Sequence, residues 1–446
     1  MLSVEQAGQI DPWLGQSVDC VCGKSHSVSI RKVVIDSGAL AALPVYAQER
    51  GYGELLLVVD KNTLEAAGRE LLELCEAAQL KVSLCVLTAD EHGELAADER
   101  VIVQLMLNVT SAVQAIVAVG SGTIHDVVRF VSHKMDRAFF SVPTAPSVDG
   151  FASVGAPLII GGFKQTIPAC APEAIFADLA LLAKSPKALI AAGFGDMLGK
   201  YTSLADWQLG QVLFGEPYCE LAAHMTRQGL AMCVDNIDEI AAGSELGMRK
   251  LMEGLTLSGI SMLLVGHSRP ASGGEHHLSH FWEMRFLQQQ RRALLHGAKV
   301  GVAAVQMARL YEAAAAMSKE AVASAIAERQ ARGDVLTPGR MREKIQAGYG
   351  SIADQVLAEN GLTVLDAIDS AEQQELPQRL VERWEAVRTV CGNVPSSEQL
   401  AAALRRVAGP TTVAELGVEP ELLQDSMEYA MYVRNRYTII RLHQWL

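Results

Sequence analysis

The sequence predicts an α/β domain with a parallel sheet, followed by an all-helical domain. From Ser27 to about Asp178, short apolar runs rich in β-branched residues alternate with helical stretches, which is the pattern of βαβ units. Beyond Ala183–Pro186 the chain changes to long helical stretches separated by Gly and Pro. Half of the 446 residues are hydrophobic and 20% are charged, so the chain can bury a large core.

The predicted strands of the first domain are short, buried apolar segments. They are Ser27–Ile35, Leu55–Asp60, Val82–Leu87, Ala115–Gly120 and Ala138–Val142. Helices are predicted between them at Leu64–Gln79 and Asp98–Ser111. The uncharged stretch 101–124 is interrupted by polar residues, so we interpret it as a helix followed by a strand and not as a membrane span.

One domain boundary is predicted, which separates residues 1–183 from residues 184–446. The helical candidates of the second domain are Leu189–Leu213, Tyr218–Ala242, Leu251–Val265, Glu275–Leu295 and Lys299–Ala331. Several shorter helices follow, and the segment after about Ile326 carries no motif that we can assign.

The charge and the cysteines limit the classes of partner. With 38 Lys and Arg against 51 Asp and Glu, the net charge is −13, which argues against a nucleic-acid or membrane-surface protein. The eight cysteines are irregularly placed and do not form the framework of a secreted domain. Residues 1–11 lack the basic start of a signal peptide. We therefore predict a cytoplasmic protein without nucleic-acid or membrane partners.

A glycine-rich turn, AVGSGTIHD at 118–126, ends the fourth predicted strand and opens a helix. Gly120 and Gly122 allow backbone amides to approach a pyrophosphate. His125 stands where the dinucleotide fingerprint has its last glycine, so a plain strand-to-helix turn remains an alternative.

Asp60 ends a buried strand, a position from which a carboxylate accepts hydrogen bonds from a nucleotide ribose. Capping of the following helix is the alternative role. If Asp60 faces a ribose, its charge disfavours a 2′-phosphate, which predicts NAD over NADP.

Five of the eleven histidines fall between His267 and His296. His276 and His280 are four residues apart and would share one face of a helix, and His296 could return to the same place. Two imidazoles and the carboxylate of Asp196 would form a three-ligand site with an open position, the type found in catalytic metal centres. Histidines satisfied within the core are the alternative.

A second possible ligand set is Cys20-Val21-Cys22 with His26. It lacks a second ligand pair at zinc-finger distance, so a turn with free thiols is favoured. Neither a Gly-x-Ser-x-Gly elbow nor a Walker loop occurs in the sequence, which argues against nucleophilic hydrolysis and nucleotide hydrolysis.

Five sequence blocks occur in a specific order: GSGTIHD (120–126), PTAPSVDGFAS (143–153), AGFGDMLGKYTSLADW (192–207), SGGEHHLSHFWE (272–283) and HGAKVG (296–301). Together they resemble the sn-glycerol-1-phosphate dehydrogenase family, over roughly residues 28–306. Its superfamily includes metal-dependent polyol dehydrogenases and 3-dehydroquinate synthase. The resemblance implies a dehydroquinate synthase-like fold with the active site in the cleft between the two domains.

The resemblance also implies a set of site residues. The cofactor positions are Asp60, Gly120, Gly122, Thr123, Ile124, His125, Asp126, Thr144, Ala145, Pro146, Ser147 and Ser153. The substrate contacts are Asp149, Asp196 and His280, of which Asp149 and His280 are the candidate catalytic residues. The metal ligands are Asp196, His276 and His296.

The implied reaction is hydride transfer between dihydroxyacetone phosphate and sn-glycerol 1-phosphate, with NAD, or else NADP, as the cofactor. The family's divalent metal acts as a Lewis acid on the oxygen of the central carbon. We rank zinc before nickel and iron, since this ligand set suits all three. Lys164 and Lys200 are candidate contacts to the substrate phosphate, with a solvated surface role as the alternative.

Three other functions compete with this one. They are a dehydrogenase of glycerol or another polyol, a sugar-phosphate cyclase like 3-dehydroquinate synthase, and a binding protein without catalytic activity. The last is disfavoured because all three implied metal ligands are present. We expect a homodimer, the commonest soluble assembly.

Overall fold

The computed structural model describes residues 6–90, 93–161, 163–334, 336–363 and 371–446. The strands in this part of the chain are β1 (Ser17–Asp19), β2 (Ser25–Ser27), β3 (Lys32–Asp36), β4 (Glu54–Val59), β5 (Lys81–Val86), β6 (Ala115–Gly120), β7 (Ala138–Pro143), β8 (Gly155–Ile160), β9 (Phe163–Pro168) and β10 (Ala174–Asp178).

The α-helices are α1 (Ala39–Glu49), α2 (Lys61–Thr63), α3 (Arg69–Ala77), α4 (Glu99–Asn108), α5 (Gly122–Met135), α6 (Leu179–Leu182), α7 (Lys187–Leu198), α8 (Lys200–Phe214), α9 (Glu220–Asp235), α10 (Ile237–Ala242), α11 (Glu245–Val265), α12 (Gly274–Gln288), α13 (His296–Ala316), α14 (Lys319–Ala331), α15 (Pro338–Tyr349), α16 (Ala353–Glu359), α17 (Ala371–Glu382), α18 (Trp384–Gly392), α19 (Ser397–Arg406), α20 (Pro420–Tyr429) and α21 (Ile439–His443). A short π-helical turn, Leu64–Gly68, joins α2 to α3.

Six strands form one parallel sheet in the order β3-β10-β7-β6-β4-β5. Strands β4, β6 and β7 are neighbours, with Val58 opposite Ala118 and Gly120 opposite Pro143. The residues that follow these three strands therefore lie side by side at the carboxyl edge of the sheet. Two antiparallel pairs, β1–β2 and β8–β9, lie outside this sheet.

Both faces of the parallel sheet are buried, which explains why its strands have continuous apolar sequences. Successive side chains of a strand point to opposite faces. Leu55 and Leu57 of β4 belong to one core with residues of α1 and α3. Leu56 and Val58 belong to the other core with residues of α4 and α5.

The chain divides into two compact units that are interleaved along the sequence. Of the described residues, the first unit contains 6–197, 220–268 and 406–409, and includes all six strands of the parallel sheet. The second unit contains 198–219, 269–405 and 410–446 and is helical. The single boundary after residue 183 stays a prediction.

The predicted fold class is confirmed, as are the α-helix and strand in the uncharged stretch 101–124. No helix among the described residues combines the length and the apolar character that a membrane span requires. No strand was predicted at the positions of β8, β9 and β10. One strand was predicted over Ser27–Ile35, where β3 begins only at Lys32.

Some predicted helices are divided. The stretch Lys299–Ala331 contains two helices because Met317 has extended backbone and the Ser318 side chain accepts a hydrogen bond from the Ala321 N–H at 3.2 Å, which caps α14. The stretch Leu189–Leu213 is likewise divided between α7 and α8 at Gly199.

Candidate active site

The glycine-rich turn joins β6 directly to the 14-residue helix α5. A Cβ atom at Gly120 would lie 2.5 Å from Ile124 Cδ1, so a side chain there would have to displace that of Ile124. Ser121 precedes the helix and makes no side-chain cap hydrogen bond. The first backbone amides of α5 and the positive end of its dipole thus form a site suited to an anion.

His125 has a structural contact on each ring nitrogen. Nδ1 donates to the Ser121 carbonyl at 2.9 Å, and Nε2 therefore accepts from the Ser141 hydroxyl at 2.8 Å. The residue is 1% exposed, and burial lowers its pKa to about 3. Its ring stays neutral and holds the turn to β7, which leaves only the backbone of His125 for a ligand.

Asp126 connects the same helix to the segment before β8. It forms an ion pair of 2.9 Å with Arg129, which is fully buried. Arg129 also donates to the carbonyls of Gly150 and, at 2.9 Å, Gly155. Ser153 Oγ donates to the Gly150 carbonyl at 3.2 Å. Asp126 and Ser153 thus stabilise the loop that carries Asp149.

The segment Thr144–Ser147 follows β7 and lies beside the glycine-rich turn, because the Thr144 N–H donates to the Gly120 carbonyl at 2.9 Å. Helix α7 packs directly on its backbone. A Cβ atom at Gly193 would lie 1.7 Å from the Pro146 carbonyl oxygen, so no side chain fits there. This contact fixes the position of α7, which carries Asp196, relative to the Thr144–Ser147 segment.

Asp149 and Asp196 are joined within the first unit. The Asp149 N–H donates to Asp196 Oδ2 at 3.0 Å, and Asp149 Oδ2 accepts from the Ser258 hydroxyl at 2.8 Å. Asp196 is fully buried and Asp149 is 7% exposed. Two buried carboxylates in one hydrogen-bonded group are costly unless a cation or further donors compensate them.

Asp60 forms a capping box with Thr63. Its Oδ1 accepts from the Thr63 N–H at 2.7 Å, and its own N–H donates to Thr63 Oγ1 at 2.9 Å. The helix-capping role that the sequence left open is therefore present. Asp60 also lies at the carboxyl edge of the sheet, beside the glycine-rich turn, because β4 and β6 are neighbours.

In the second unit, three imidazoles converge from α12 and the start of α13. The ring centroids of His276 and His296 are 5.3 Å apart, and His280 lies 6.0 and 6.1 Å from these two rings. The three rings therefore lie together, as the expectation that His296 returns to the face of His276 and His280 requires.

Glu275 orients His276. The His276 Nδ1–H donates to Glu275 Oε1 at 2.7 Å, which leaves Nε2 as the nitrogen with a lone pair. Thr202 Oγ1 and the Gly273 N–H also donate to this carboxylate, each at 2.6 Å. Burial opposes ionisation of Glu275, but these hydrogen bonds hold its pKa below the ordinary value. A carboxylate behind an imidazole is the usual arrangement at a metal-binding histidine.

His280 has a different environment. Its Nδ1 is 3.4 Å from Glu283 Oε2, and Glu283 forms a 2.5 Å ion pair with Lys299, whose side chain is fully buried. Burial lowers the pKa of His280 to about 3, and the charges of Arg434 and Lys299 contribute to this shift. His280 is thus a neutral imidazole beside cationic groups.

The start of α12 is fixed by Asp206, which the sequence analysis did not single out. Its carboxylate accepts from the Gly274 N–H, the Ile439 N–H and the Tyr311 hydroxyl, each at 2.6 Å. Burial and the charge of Glu275 raise the pKa of Asp206 to about 7. A buried acid among apolar helices gave no local signal in the sequence.

The C-terminal segment, which the motifs left unassigned, also reaches α12. Arg436 donates to the Ser272 carbonyl at 3.1 Å, and Arg434 to the Ser272 hydroxyl at 3.5 Å. The proposed phosphate contact Lys200 is fully buried and donates to the Ala271 carbonyl at 3.1 Å. Lys164 is half-buried on β9 of the first unit.

Known proteins support this assignment of the fold. Residues 34–186 match the family described as iron-containing alcohol dehydrogenase. A probable glycerol dehydrogenase from Sinorhizobium meliloti 1021 has a similar fold, with a TM-score of 0.60 at 16% identity over 92% of this chain and 91% of that one.

Two relatives are similar over nearly the whole chain. Both are named glycerol-1-phosphate dehydrogenase [NAD(P)+]. The protein from Geobacillus stearothermophilus is 41% identical over 423 residues, which is 94% of each chain. The protein from Geobacillus thermodenitrificans (strain NG80-2) is 40% identical over 416 residues, or 93% of this chain and 92% of that one.

This chain belongs to the glycerol-1-phosphate dehydrogenase family. The resemblance based on five sequence blocks is thereby confirmed, and the chain is an enzyme of the oxidoreductase class. The match extends well beyond residue 306, so it includes most of the C-terminal segment that the motifs left unassigned. The length of the chain is therefore a feature shared with these relatives.

Proposed function

We propose that the chain catalyses the reversible, NAD(P)-linked interconversion of dihydroxyacetone phosphate and sn-glycerol 1-phosphate. The observation that carries the proposal is the Glu275–His276 pair beside His280 and His296. One oriented imidazole with a second one near it suits a metal, and a third, neutral imidazole suits proton transfer. The names of the two Geobacillus relatives support the substrate and the cofactor.

We propose Asp196, His276 and His296 as the ligands of a divalent metal, with zinc preferred over nickel and iron. The donor set is one carboxylate and two imidazoles, which matches a catalytic site with an open position. The metal would polarise the oxygen on the central carbon of the substrate. The buried carboxylate of Asp196 and the lone pair on His276 Nε2 are consistent with this role.

For the cofactor, the proposal places the pyrophosphate at the start of α5, against the backbone of Gly122, Thr123 and Ile124. The small residues of Thr144–Ser147 would then adjoin the nicotinamide ribose, and the second carboxylate oxygen of Asp60 would accept from the other ribose. The cofactor supplies or takes up the hydride. Asp60 favours NAD over NADP by its charge, and comparable kcat/KM values for the two cofactors would contradict this preference.

His280 and Asp149 are the proposed catalytic residues. A neutral His280 can accept a proton from a substrate hydroxyl or orient that hydroxyl. Asp149 is held by Ser258 and by its backbone contact with Asp196, so it can position the substrate near the metal ligands. The proposal assigns cofactor binding to residues 1–183 and metal and substrate binding to 184–446, apart from Asp149.

We further propose that Arg434 balances the charge of the substrate phosphate. Its side chain reaches Ser272, just before α12, and phosphate needs local positive charge on a protein with a net charge of −13. We expect Arg434→Ala to raise KM for dihydroxyacetone phosphate about 10- to 100-fold, with no change for phosphate-free dihydroxyacetone. An equal loss with both substrates would contradict a phosphate contact.

The reaction is tested by following NADH absorbance with dihydroxyacetone phosphate, dihydroxyacetone and a heptulosonate phosphate, before and after removal of the metal. Steady NADH oxidation with the phosphorylated triose alone supports the proposal. Preference for free dihydroxyacetone would indicate a polyol dehydrogenase, and consumption of the seven-carbon compound without net NADH oxidation would indicate a cyclase. Full activity of verified metal-free protein would exclude the metal.

The proposal includes a cytoplasmic homodimer. Light scattering coupled to size exclusion measures the mass of the assembly, which we expect to be twice the 47.9 kDa of one chain. A monomer with full activity would contradict the dimer and would leave the proposed reaction unaffected.

A further inference from the structure

The N-terminal hairpin of the first unit brings together two thiols and an imidazole. Strands β1 and β2 pair antiparallel, with Val18 opposite His26. In the turn between them, the Cys20 N–H donates to the Lys24 carbonyl at 3.0 Å and the Gly23 N–H to the Cys20 carbonyl at 2.9 Å. Gly23 has a φ of +82°, which only glycine adopts readily.

This turn places three possible metal-donor atoms close together. The Sγ atoms of Cys20 and Cys22 and a ring nitrogen of His26 all lie within 4.8 Å of one another, and Cys22 Sγ is 3.2 Å from His26 Nε2. In a tetrahedral zinc site with Zn–S near 2.3 Å and Zn–N near 2.0 Å, such donor atoms are about 3.5–3.8 Å apart. The three donors therefore surround a volume of the size that zinc requires.

The imidazole is held as metal-binding imidazoles usually are. His26 is 3% exposed, and its ring hydrogen-bonds with the backbone of Leu264 on α11 of the same unit. Its Nε2 faces Cys22 Sγ. A backbone contact on one side of the ring and a ligand position on the other is the pattern of a histidine at a metal site.

The hairpin has little apolar surface of its own to stabilise it. Its strands have three residues each, and Val21 at the tip is 97% exposed. A two-stranded hairpin is only marginally stable by itself in water, so a bound metal ion would stabilise this one. Cys75 and Cys85 differ, because burial in the sheet cores raises the pKa of each thiol to about 11, which makes them ordinary core residues.

We propose that Cys20, Cys22 and His26 bind a structural zinc ion. All three ligands lie in the N-terminal hairpin, and β2, which carries His26, contacts α11 of the same unit. The ion would link the turn of the hairpin to β2 through two thiolates and one imidazole. It involves none of the proposed catalytic residues, so it is independent of the proposed reaction.

The first test is the metal content of the purified full chain and of single variants, measured by elemental analysis. We expect Cys20→Ser and Cys22→Ser each to contain about one zinc equivalent less per chain than the wild type. The matched control is Cys170→Ser, which removes a half-buried thiol of the same unit. The proposal fails if either variant contains as much zinc as the control.

A second test needs no variant and separates this site from the catalytic one. The chain is prepared with Co²⁺ in place of zinc, and its thiolate-to-cobalt charge-transfer absorption is measured. The proposed catalytic ligands include no thiolate, so this absorption can arise only from cysteine ligands. It should persist in His296→Ala and be lost in Cys22→Ser. Wild-type chain loaded with cobalt but lacking the absorption would overturn the proposal, whatever the activity.

Discussion

The carboxyl edge of the parallel sheet and the histidine cluster on α12 and α13 are built in different ways. The edge is made of backbone and small residues from segments that directly follow β4, β6 and β7. The cluster is made of side chains whose orientation depends on partners far along the chain, such as Thr202, which donates to the Glu275 carboxylate behind His276. The first region requires close packing, and the second requires a chain of charged hydrogen bonds.

This difference predicts which kind of substitution should damage each region. At the edge, the damaging change is an added atom, because glycine contacts leave no space. In the cluster, the damaging change is a lost charge or donor, because a buried charged group left without its partner is costly. Substitutions that change one property and preserve the other can therefore test the two descriptions separately.

The largest effect is expected in the cluster itself. His296→Ala should abolish binding of the catalytic metal and reduce kcat by about 1,000-fold or more, since a ligand and the electrostatic stabilisation it maintains are lost together. His280→Ala should retain the metal and still lose turnover. Metal content and steady-state kinetics of both variants measure the difference. Retained turnover in His280→Ala would remove this residue from the mechanism.

The next effect concerns the edge. Gly193→Ala places a methyl group where the Pro146 carbonyl lies at 1.7 Å, so α7 or the Thr144–Ser147 segment must shift. We expect a loss of about 3 kcal/mol or more in the free energy of unfolding and a raised KM for the cofactor.

Gly392→Ala is the matched control for that change. Gly392 is exposed at the end of α18, and a Cβ atom there meets nothing within 4 Å. This variant should be as stable as the wild type, or more stable by about 0.5–1 kcal/mol. Equal stability of the Gly193 and Gly392 variants in denaturant titrations would contradict the close packing at Pro146.

A smaller effect is expected at Glu275, which contacts the proposed metal ligand His276. Glu275→Gln keeps the size of the side chain but removes the charge that orients His276, and it should weaken metal affinity about 10- to 100-fold. Competition with a chelator measures this affinity. Glu283→Gln, on the same helix beside His280, should leave it unchanged. An equal loss in both variants would indicate a general effect of charge on α12.

The edge could be predicted from the sequence because its signals are local. A buried strand, a glycine pair and a helix start are contiguous, and the neighbouring strands follow from the parallel order. The strands β8 and β9 were missed because they pair antiparallel without a helix between them and so depart from the βαβ pattern. The five-residue strand β10 was missed as well. Capping by Asp60 was a stated alternative, and only the structure shows the capping box.

The cluster could be predicted only in part. The spacing of His276, His280 and His296 indicated convergence, but Asp206 and Arg434 come from positions that no local pattern connects to α12. Partners that are distant in sequence become visible only when the chain is folded.

The smallest expected effect is the pH dependence that His125, at the carboxyl edge of the sheet, gives to the free energy of unfolding. His125 has a folded pKa of about 3 against an ordinary value of 6.5. Below pH 6.5 the unfolded chain therefore takes up a proton that the folded chain does not, and stability falls as the pH falls. Between pH 7.5 and 5.5 this residue should cost about 1.4 kcal/mol of unfolding free energy. Urea titrations at the two values measure the change.

The variant His125→Asn keeps a polar side chain but cannot titrate, so its loss of stability between the two pH values should be smaller by that amount. His133→Asn, which changes an exposed histidine on the same helix, should show the wild-type loss. If the His125 variant shows the wild-type loss, the ring is already protonated or solvated in the folded chain. The glycine-rich turn would then depend on charge, as the histidine cluster does, and the contrast between the two regions would not hold.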